Sequence, residues 1–343
     1  MYIIIMLIFQ ITLFVTFVFL ILGYSYMLIT PGLLIGYIPI IDYVKTLAQS
    51  FFTMVLTNGF KTNFKLAESK QNIKKLINED TDKIDILICN HTSTLDFLII
   101  MAYLQEWEID SYNFVFKNDI IYTPGFGFIM YASPDIKLNR NWEQDKETLG
   151  NQLDKIKTNG KKQVILIFPE GTRLTEKKLR EGQDFSKKNN LPVFDNLMVP
   201  KSKGLWFITN HLAQTNKLGR IWDVTLIFPQ FLKKSIGYAD IFGKSIGNIN
   251  TIWREVKLPE NFKDQDNFKK WLMNTWITKD SLMEHHNNII FNEIYPDTNI
   301  KTSTKLLTII IIIALIGLLF NKYSRYYMLG SLLLSYVLII FKL

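Results

Sequence analysis

Residues 84–96 read IDILICNHTSTLD, and the apolar run FLIIM follows at residues 97–101. A short, largely apolar run that breaks into polar residues and then resumes predicts a buried strand, a turn and a helix. His91 falls in the turn, close to the positive end of the predicted helix dipole, which disfavours the imidazolium and leaves the ring able to accept a proton. Asp96, five residues further on, can fold back toward the ring. His91 and Asp96 are therefore candidates for general acid–base chemistry.

The same residues also fit a purely structural interpretation. Ser93 is a common helix N-cap residue, and Asp96 stands three residues later, where the acidic residue of a capping box belongs. Under this interpretation His91 is an ordinary loop residue. The spacing alone leaves both interpretations open.

Both ends of the 343-residue chain are apolar. The first 41 residues contain no charged side chain, and Tyr2–Leu22 is long enough to cross a bilayer. This segment lacks the basic start and the small-residue cleavage site of a signal peptide, so we expect an uncleaved membrane anchor over residues 1–41, interrupted in its second half by Pro31 and Pro39. Residues 306–343 contain two shorter apolar runs and predict a C-terminal membrane hairpin or two thin spans.

The block between these ends, residues 42–305, is long enough for one α/β catalytic domain with a sizeable core. It contains all 31 acidic residues of the chain and all but three of its 39 basic residues. This modest basic surplus suits an anionic membrane face or a phosphate-bearing ligand, and it argues against nucleic acid as a partner. The single cysteine, Cys89, lies in the predicted strand and can form no internal disulfide, which fits a domain that faces the cytosol.

A second strand with a polar end lies at residues 162–173, which read KQVILIFPEGTR. Pro169 cannot continue a central strand, so the chain must leave the sheet there, and Gly171 lets the backbone bend sharply. Arg173 offers a planar fork suited to phosphate, and Glu170 can orient that fork or hold a hydroxyl group. The alternative is an exposed Glu–Arg pair of little energetic value. Open α/β sheets carry their sites at strand ends of this kind.

Weaker patterns predict the other elements. Residues 123–128 contain one proline and two glycines, which allow a tight loop and a close approach of the backbone to a ligand. Residues 61–82 are polar and charged, and we expect a surface connection there. Residues 42–60 predict an amphipathic helix that lies either on the membrane or against the core. Further strands are expected at residues 112–116, 135–138 and 222–228, and further helices at residues 143–158 and 269–286.

Four segments, taken in order, resemble the sequence blocks of the glycerolipid acyltransferases, the enzymes that acylate glycerol 3-phosphate and lysophospholipids from acyl-CoA. The first block is Asn90–Asp96, and the third is Phe168–Arg173, which matches over six consecutive residues. The second block consists of Lys117, Pro124 and Gly127, and the fourth of Val199 and Pro200. The second block departs from the family pattern at Phe128, where a tryptophan is frequent, and at the acidic Asn118-Asp119.

Further tracts outside the four blocks resemble one subgroup, the long-chain lysophospholipid and lysocardiolipin acyltransferases. These tracts are Arg140-Asn141-Trp142 with Asp145, Leu174-Thr175-Glu176, Asp223-Val224-Thr225, and the segment from Trp271 through Trp276 to Lys279-Asp280. The resemblance as a whole runs from about Leu33 to His286.

The resemblance implies an α/β fold in which a mixed β-sheet is flanked by helices and is held against a bilayer. It implies that His91 takes the proton of the attacking glycerol hydroxyl and that Asp96 fixes the tautomer of the ring, with Ser93 making a local hydrogen bond only. It also implies substrate binding by the remaining block residues, with Arg173 on the lipid phosphate: Lys117, Pro124, Gly127, Glu170, Gly171, Thr172, Arg173, Val199 and Pro200.

Acyl-CoA would be the co-substrate, with no other cofactor. No metal site is expected either, because His211, His285 and His286 show no metal-ligand spacing with nearby acids.

The function expected from this resemblance is that of an integral membrane enzyme of the endoplasmic reticulum, with its catalytic domain in the cytosol. It would move a fatty acyl group from acyl-CoA to the free glycerol hydroxyl of a lysophospholipid, lysophosphatidylinositol or a similar lipid. The first alternative is a lysophosphatidic acid acyltransferase that makes phosphatidic acid. The second is a non-enzymatic scaffold that binds lipid without turnover, and the intact set His91, Asp96, Glu170 and Arg173 argues against it.

Overall fold

The computed structural model of the chain describes residues 60–294, except for 123–125, 157, 159, 233, 235 and 238–245, together with Gln49, Thr53, Leu56 and Thr57. The predicted membrane segments, residues 1–41 and 306–343, lie outside the described residues. Within the described ranges, no helix has the length and the hydropathy that a bilayer crossing requires.

The strands of the described region form one eight-stranded sheet. They are β1 (Thr62–Leu66), β2 (Ile84–Cys89), β3 (Ser111–Lys117), β4 (Ile136–Leu138), β5 (Gln163–Ile167), β6 (Leu218–Ile227), β7 (Gly247–Glu255) and β8 (Asn292–Ile294). Their order across the sheet is β4-β3-β5-β2-β6-β7-β1-β8. The first five strands in this order run parallel, β7 runs antiparallel to β6 and parallel to β1, and β8 runs antiparallel to β1. The expected mixed sheet is confirmed.

The helices of the described region are α1 (Lys70–Ile77), α2 (Asp96–Glu106), α3 (Phe126–Ala132), α4 (Trp142–Asp154), α5 (Glu176–Lys188), α6 (Ser202–Gln214) and α7 (Gln265–Glu284). Short 3-10 helices occur at Asn118–Tyr122, Pro229–Phe231 and His286–Asn288. The expected helices near residues 97, 143 and 269 are confirmed, and α5 forms within the lysine-rich stretch that follows Arg173.

Helices cover both faces of the sheet because the central strands are apolar on both faces. All six residues of β2 are buried. On one face, Leu87 and Cys89 pack in a cluster with α2 residues such as Tyr103. On the other face, Ile86 and Ile88 pack in a cluster with α4, α6 and α7. Strands buried on both sides are expected in the parallel part of a sheet that helices cover on each side.

Two local expectations were wrong. The segment at residues 61–82 is not a surface connection, because it contains strand β1 and helix α1, and β1 lies between β7 and β8. Phe64 and Leu66 of β1 are buried while Asn63 and Lys65 point away from the core, and this short alternation is hidden in a charged stretch. The expected loop at residues 123–128 is helical from Phe126 onward, while Thr123–Gly125 lies outside the described residues.

The amphipathic helix expected at residues 42–60 falls largely outside the described residues. Gln49, which the helical pattern places away from the apolar face, is buried, and its side-chain amide donates a hydrogen bond of 2.8 Å to the carbonyl of Met101 in α2. Thr53 is also buried and donates to the side chain of Gln105 at 2.9 Å. The described residues of this segment therefore pack against α2.

Candidate active site

The two polar turns meet at one edge of the sheet. Strands β2 and β5 are parallel neighbours, so their carboxyl ends lie side by side. The backbone N–H of Leu174 donates to the carbonyl of His91 at 2.7 Å. The imidazole of His91 also stacks on the ring of Phe168, with 4.3 Å between the ring centroids. The two strand ends thus lie together, as expected, at the edge where open α/β sheets carry their sites.

His91 and Asp96 form a hydrogen-bonded pair. One carboxylate oxygen, Oδ2 of Asp96, lies 2.8 Å from Nδ1 of His91 and also accepts the backbone N–H groups of Thr92 at 2.7 Å and Ser93 at 2.8 Å. Asp96 is fully buried, whereas 21% of the His91 side chain is exposed. Because Nδ1 donates to the carboxylate, the opposite nitrogen, Nε2, is the proton acceptor, and it has no hydrogen-bond partner among the described residues.

Burial raises the pKa of the Asp96 carboxyl above its usual value, and the hydrogen bond and charge of His91 partly offset this rise. The second oxygen of the carboxylate, Oδ1, has no hydrogen-bond partner within residues 60–294 as described. The carboxylate is thus held by donors on one oxygen only. Such an arrangement fixes the orientation and the tautomer of the imidazole.

The structural interpretation of this turn is also partly correct. The carboxylate of Asp96 reaches back to the N–H of Ser93, as in a capping box, and Oγ of Ser93 accepts the N–H of Leu95 at 3.1 Å. The helix itself begins at Asp96, so Leu95 and not Ser93 is the residue before it. The turn that caps α2 therefore also holds the acid of the His–Asp pair, so the two interpretations are not exclusive.

Glu170 does not orient Arg173. Its side chain is buried, with 3% exposure, and burial raises its pKa well above the usual value against the opposing charge of Lys279. One oxygen, Oε1, has no hydrogen-bond partner among the described residues. Arg173 is exposed and makes no hydrogen bond or ion pair with the described residues. The idea of an exposed Glu–Arg pair is therefore wrong as well, and the Arg173 guanidinium is available to a ligand.

The turn that carries Glu170 has the sharp bend that Gly171 allows. Gly171 has a φ of +71°, and its N–H donates to the carbonyl of Phe168 at 2.9 Å. The hydroxyl of Thr172, next along the chain, accepts the ammonium of Lys178. The carbonyl of Pro169 accepts the N–H of Lys201 at 2.8 Å, which places the segment of Val199 and Pro200 beside this turn.

The second block lies further from His91. Lys117 ends β3, which is separated from β2 by β5, and its ammonium forms an ion pair with Asp119. Pro124 lies outside the described residues. A Cβ atom at Gly127 would lie 2.2 Å from the carbonyl oxygen of Ile121. The close approach at Gly127 is therefore to the chain's own backbone.

Three contributors to the site were not predicted. Nη2 of Arg140 donates to the carbonyl of Gly171 at 2.6 Å. The side chain of Asn90 bonds both backbone groups of Leu226 in β6, at 2.9 Å and 2.8 Å. Lys279, expected among the polar residues of its helix, is fully buried. The sequence signals were the subgroup-like tracts around Arg140 and Lys279, and the position of Asn90 next to His91.

Metal ligands do not cluster in the described part of the chain. No group of three or more His, Cys, Asp or Glu residues there is arranged to hold a metal ion. His211 pairs with the exposed Asp154, and His285 and His286 each bond a backbone carbonyl of their own helix end.

Comparison with known proteins bears on the identity of this site. Residues 68–192 match the family model described as Acyltransferase. The matched residues include the whole of the His91 turn and the whole of the Glu170 turn, and the resemblance to an acyltransferase domain stated from the sequence is confirmed.

Curated relatives of the chain include enzymes named for several lysolipids. The chain is 27% identical to lysophosphatidylinositol acyltransferase 10 of Caenorhabditis elegans over 201 residues, which cover 58% of this chain and 51% of the relative. It is 26% identical to probable 1-acyl-sn-glycerol-3-phosphate acyltransferase 5 of Arabidopsis thaliana, over 62% of this chain and 55% of the relative. It is 30% identical to lysocardiolipin acyltransferase 1 of Gallus gallus, over 42% of this chain and 39% of the relative.

The chain thus spans about half the length of the curated relatives it matches. A solved structure, the 1-acyl-sn-glycerophosphate acyltransferase PlsC of Thermotoga maritima, aligns with 78% of this chain and 95% of its own length, with 15% identity and a TM-score of 0.41.

Proposed function

We propose that this protein transfers a fatty acyl group from acyl-CoA to the free glycerol hydroxyl of a lysophospholipid. The observation that carries the proposal is the His91–Asp96 pair at the carboxyl ends of β2 and β5, with Nδ1 of His91 held at 2.8 Å by a buried carboxylate. This arrangement leaves Nε2 of His91 to act as a general base. The match of residues 68–192 to the acyltransferase model supports the choice of acyl transfer.

The proposed reaction is direct attack by the lipid. Nε2 of His91 takes the proton of the glycerol hydroxyl while its oxygen attacks the thioester carbonyl, and Asp96 stabilises the imidazolium that forms. Collapse of the tetrahedral intermediate breaks the carbon–sulfur bond. The CoA thiolate leaves and takes the proton back from the imidazolium, which restores neutral His91. No enzyme nucleophile is required, because the substrate supplies the attacking hydroxyl.

Lipid phosphate would bind at the turn after β5. The exposed guanidinium of Arg173 has no protein partner in the described region, and an arginine fork matches the geometry of phosphate oxygens. Arg140 braces the same turn through the carbonyl of Gly171. Lys117 and the segment of Val199 and Pro200 remain proposed substrate contacts, as do Pro124, Gly127, Glu170 and Thr172.

The acceptor we favour is a lysophospholipid with a head group beyond the phosphate, such as lysophosphatidylinositol. Two of the four subgroup-like tracts, those around Arg140 and Asp280, contact the site region. Arg140 bonds Gly171, and the carboxylate of Asp280 accepts the N–H groups of Asp195 and Asn196, just before the Val199–Pro200 segment. Lysophosphatidic acid is the second candidate, because several relatives are named as 1-acyl-sn-glycerol-3-phosphate acyltransferases.

A single assay tests the proposal. The purified full chain is given labelled acyl-CoA with a panel of lysolipids, and both thiol release and the lipid product are measured. We expect acylation of lysophosphatidylinositol at least as fast as that of lysophosphatidic acid, and rates about 10²- to 10⁴-fold lower with His91→Ala. If lysophosphatidic acid is used far faster than every substituted lysolipid, the second candidate replaces the first. If no lysolipid is acylated, the scaffold interpretation replaces both.

We further propose that the protein is anchored in the endoplasmic reticulum membrane by residues 1–41 and 306–343, with residues 42–305 in the cytosol, where acyl-CoA is available. Digestion of residues 42–305 by protease added to sealed microsomes supports this placement, and protection of the block contradicts it. The reaction as proposed uses protein groups alone, so chelators should leave the rate unchanged. Loss of activity in chelator that one divalent cation restores would contradict this.

A further inference from the structure

Lys279 of α7 is fully buried, and its ammonium reaches the strand that supports the His91 turn. Nζ donates to the carbonyl of Val224 at 2.5 Å and lies 2.6 Å from Oδ1 of Asp223. Val224 pairs with Cys89 in the register of β2 and β6. Asn90, the residue after β2, forms side-chain hydrogen bonds with both backbone groups of Leu226 in β6. Lys279 therefore contacts β6 next to the carboxyl end of β2.

Ionisable groups of several elements lie around this lysine. Asp223 of β6 pairs with it, Arg254 of β7 pairs with the same Asp223, and its charge also acts on Cys89 of β2 and on Glu170 after β5. Glu170 and Cys89 both experience the charge of Lys279, and both also experience that of Asp96. Lys279 lowers the pKa of Glu170, although burial raises that pKa by more.

Acidic groups dominate this buried region. Asp96, Glu170 and Asp223 are all buried, and of the two cations Lys279 is fully buried while Arg254 is partly exposed. The ammonium of Lys279 also lies 5.0 Å from the ring centroid of Trp276, an arrangement that favours a desolvated cation. A nearby positive charge favours the ionised form of a buried carboxylate, which burial and a neighbouring carboxylate both disfavour.

We propose, on the basis of the proposed function, that Lys279 is a positioning residue of the active site, a buried cation that holds β6 beside the end of β2 and whose charge offsets Asp223 and Glu170, and so keeps the His91–Asp96 pair in its working state. The lysine touches neither substrate nor the reacting atoms. It acts through its positive charge near the carboxylates and through its hydrogen bond to the carbonyl of Val224 in β6. The competing explanation is that Lys279 only neutralises Asp223 and contributes to stability.

The two explanations differ in the pH dependence of the reaction. Removing the cation in Lys279→Met makes the site more negative, so the base stays protonated to higher pH. The acid limb of the kcat profile then moves up by about half a pH unit or more. Removing an anion in Asp223→Asn moves it in the opposite direction. A purely stabilising role predicts loss of folded protein with the acid limb unmoved in both variants.

The experiment uses the purified full chain, with acyl transfer measured from pH 5 to 9 and rates corrected for the folded fraction. We expect Lys279→Met to lower kcat about tenfold with KM values within about twofold, and to move the acid limb upward. The matched control is Lys162→Met, which removes the buried partner of Asp85 at the far end of β2 and should leave both kcat and the profile unchanged.

If Lys279→Met or Asp223→Asn does not fold, the pH profile of the other variant still tests the proposal. Opposite shifts in the two variants, or the expected shift in the one that folds, support the proposal. An active wild type with an unmoved acid limb in every folded variant overturns this inference alone. An inactive wild type overturns the proposed function and this inference with it.

Discussion

Two buried lysine–aspartate pairs lie toward opposite ends of β2, and they differ in how completely the surrounding acids are hydrogen-bonded. At the amino end, the carboxylate of Asp85 accepts Lys162 at 2.6 Å, the indole of Trp222 at 2.9 Å and the N–H of Arg220 at 3.0 Å. At the carboxyl end, Lys279 pairs with Asp223, but Asp96 and Glu170 nearby each keep one oxygen without a hydrogen-bond partner among the described residues.

This difference separates the residues that stabilise the fold from those proposed to take part in the reaction. A buried ion pair whose oxygens are all satisfied fixes packing, and its removal leaves a costly unpaired charge. Buried acids with unsatisfied oxygens are uncommon in folded proteins and need another explanation. Here one of them, Asp96, bonds the His91 imidazole, and the other, Glu170, lies in the turn after β5, at the sheet edge where α/β proteins carry their sites. We therefore propose that the amino end of β2, the structural end, serves stability and that the carboxyl end, the reactive end, serves the proposed reaction.

The largest expected effect comes from removing the proposed general base, or its acid partner, at the reactive end. His91→Ala and Asp96→Asn should each lower acyl transfer by about 10²- to 10⁴-fold, because the reaction loses its general base or the correct tautomer of that base. Steady-state kinetics on folded protein measures this.

The matched control for that experiment is His211→Ala. His211 also lies 2.8 Å from a carboxylate and is 20% exposed, but its partner Asp154 is 57% exposed and lies away from the strand ends. We expect wild-type kinetics for this control. Similar losses in His91→Ala and His211→Ala would show that the kinetic effect reflects the removal of any histidine–carboxylate pair.

The second effect comes from breaking the structural end. Lys162→Met leaves Asp85 buried without its cation, so we expect a loss of about 3–5 kcal/mol in the free energy of unfolding, measured by denaturant titration. The kcat of the folded fraction should stay at the wild-type value. Adding Asp85→Leu should recover much of the stability, since an apolar pair replaces the ionic one. A large drop in kcat would remove the distinction between the two ends.

Much of the reactive end was predictable because its signals are local. The His91 turn and the Glu170 turn each follow a compact apolar strand, and both strands and both turns lie where the sequence indicates. The parallel pairing that joins the turns follows from the α/β pattern. Their dense polar motifs are confined to a few consecutive residues.

The residues that were missed act at a distance. Lys279 lies within a helix where charged residues are expected to face water, and only its partner Asp223, in a strand far away in sequence, explains its burial. Glu170 was expected to orient Arg173 or to hold a hydroxyl group, but its side chain is buried while that of Arg173 is exposed, which depends on packing that the local sequence does not show. Strand β1 was missed because its buried residues alternate with Asn63 and Lys65 over only five positions.

A third, smaller effect is the pH dependence of stability at the reactive end. Because burial raises the pKa of Glu170, the ionised carboxylate is disfavoured in the folded state. Its contribution to folding is therefore neutral below the unfolded value of 4.5 and becomes increasingly unfavourable as pH rises through the raised folded pKa. Glu170→Gln should match wild-type stability near pH 4 and exceed it at pH 8 by on the order of 1 kcal/mol.

Asp85→Asn is the control for this measurement, since it makes the same change at the structural end. There the amide leaves Lys162 buried without an anion, so the variant should be less stable than the wild type at pH 8. Thermal unfolding of both variants between pH 4 and pH 8 gives the comparison. A Glu170→Gln variant that is less stable than the wild type at pH 8 would mean that the buried carboxylate stabilises the fold.

The smallest expected effect is that of Ser93→Ala. It tests whether a fully hydrogen-bonded side chain at the reactive end is structural and takes no part in the reaction. Ser93 is fully buried one residue from Thr92, but its hydroxyl is satisfied: it accepts the N–H of Leu95 at 3.1 Å and donates to the carbonyl of Ile236 at 3.4 Å. A hydroxyl engaged in both directions shapes the turn and is not free to attack a thioester. Ser93→Ala should therefore cost about 1 kcal/mol of stability and keep kcat within about threefold of the wild type. Mass spectrometry after rapid quenching should find no acyl group on Ser93, and an acylated Ser93 that forms and decays at the rate of turnover would replace direct attack by a two-step mechanism.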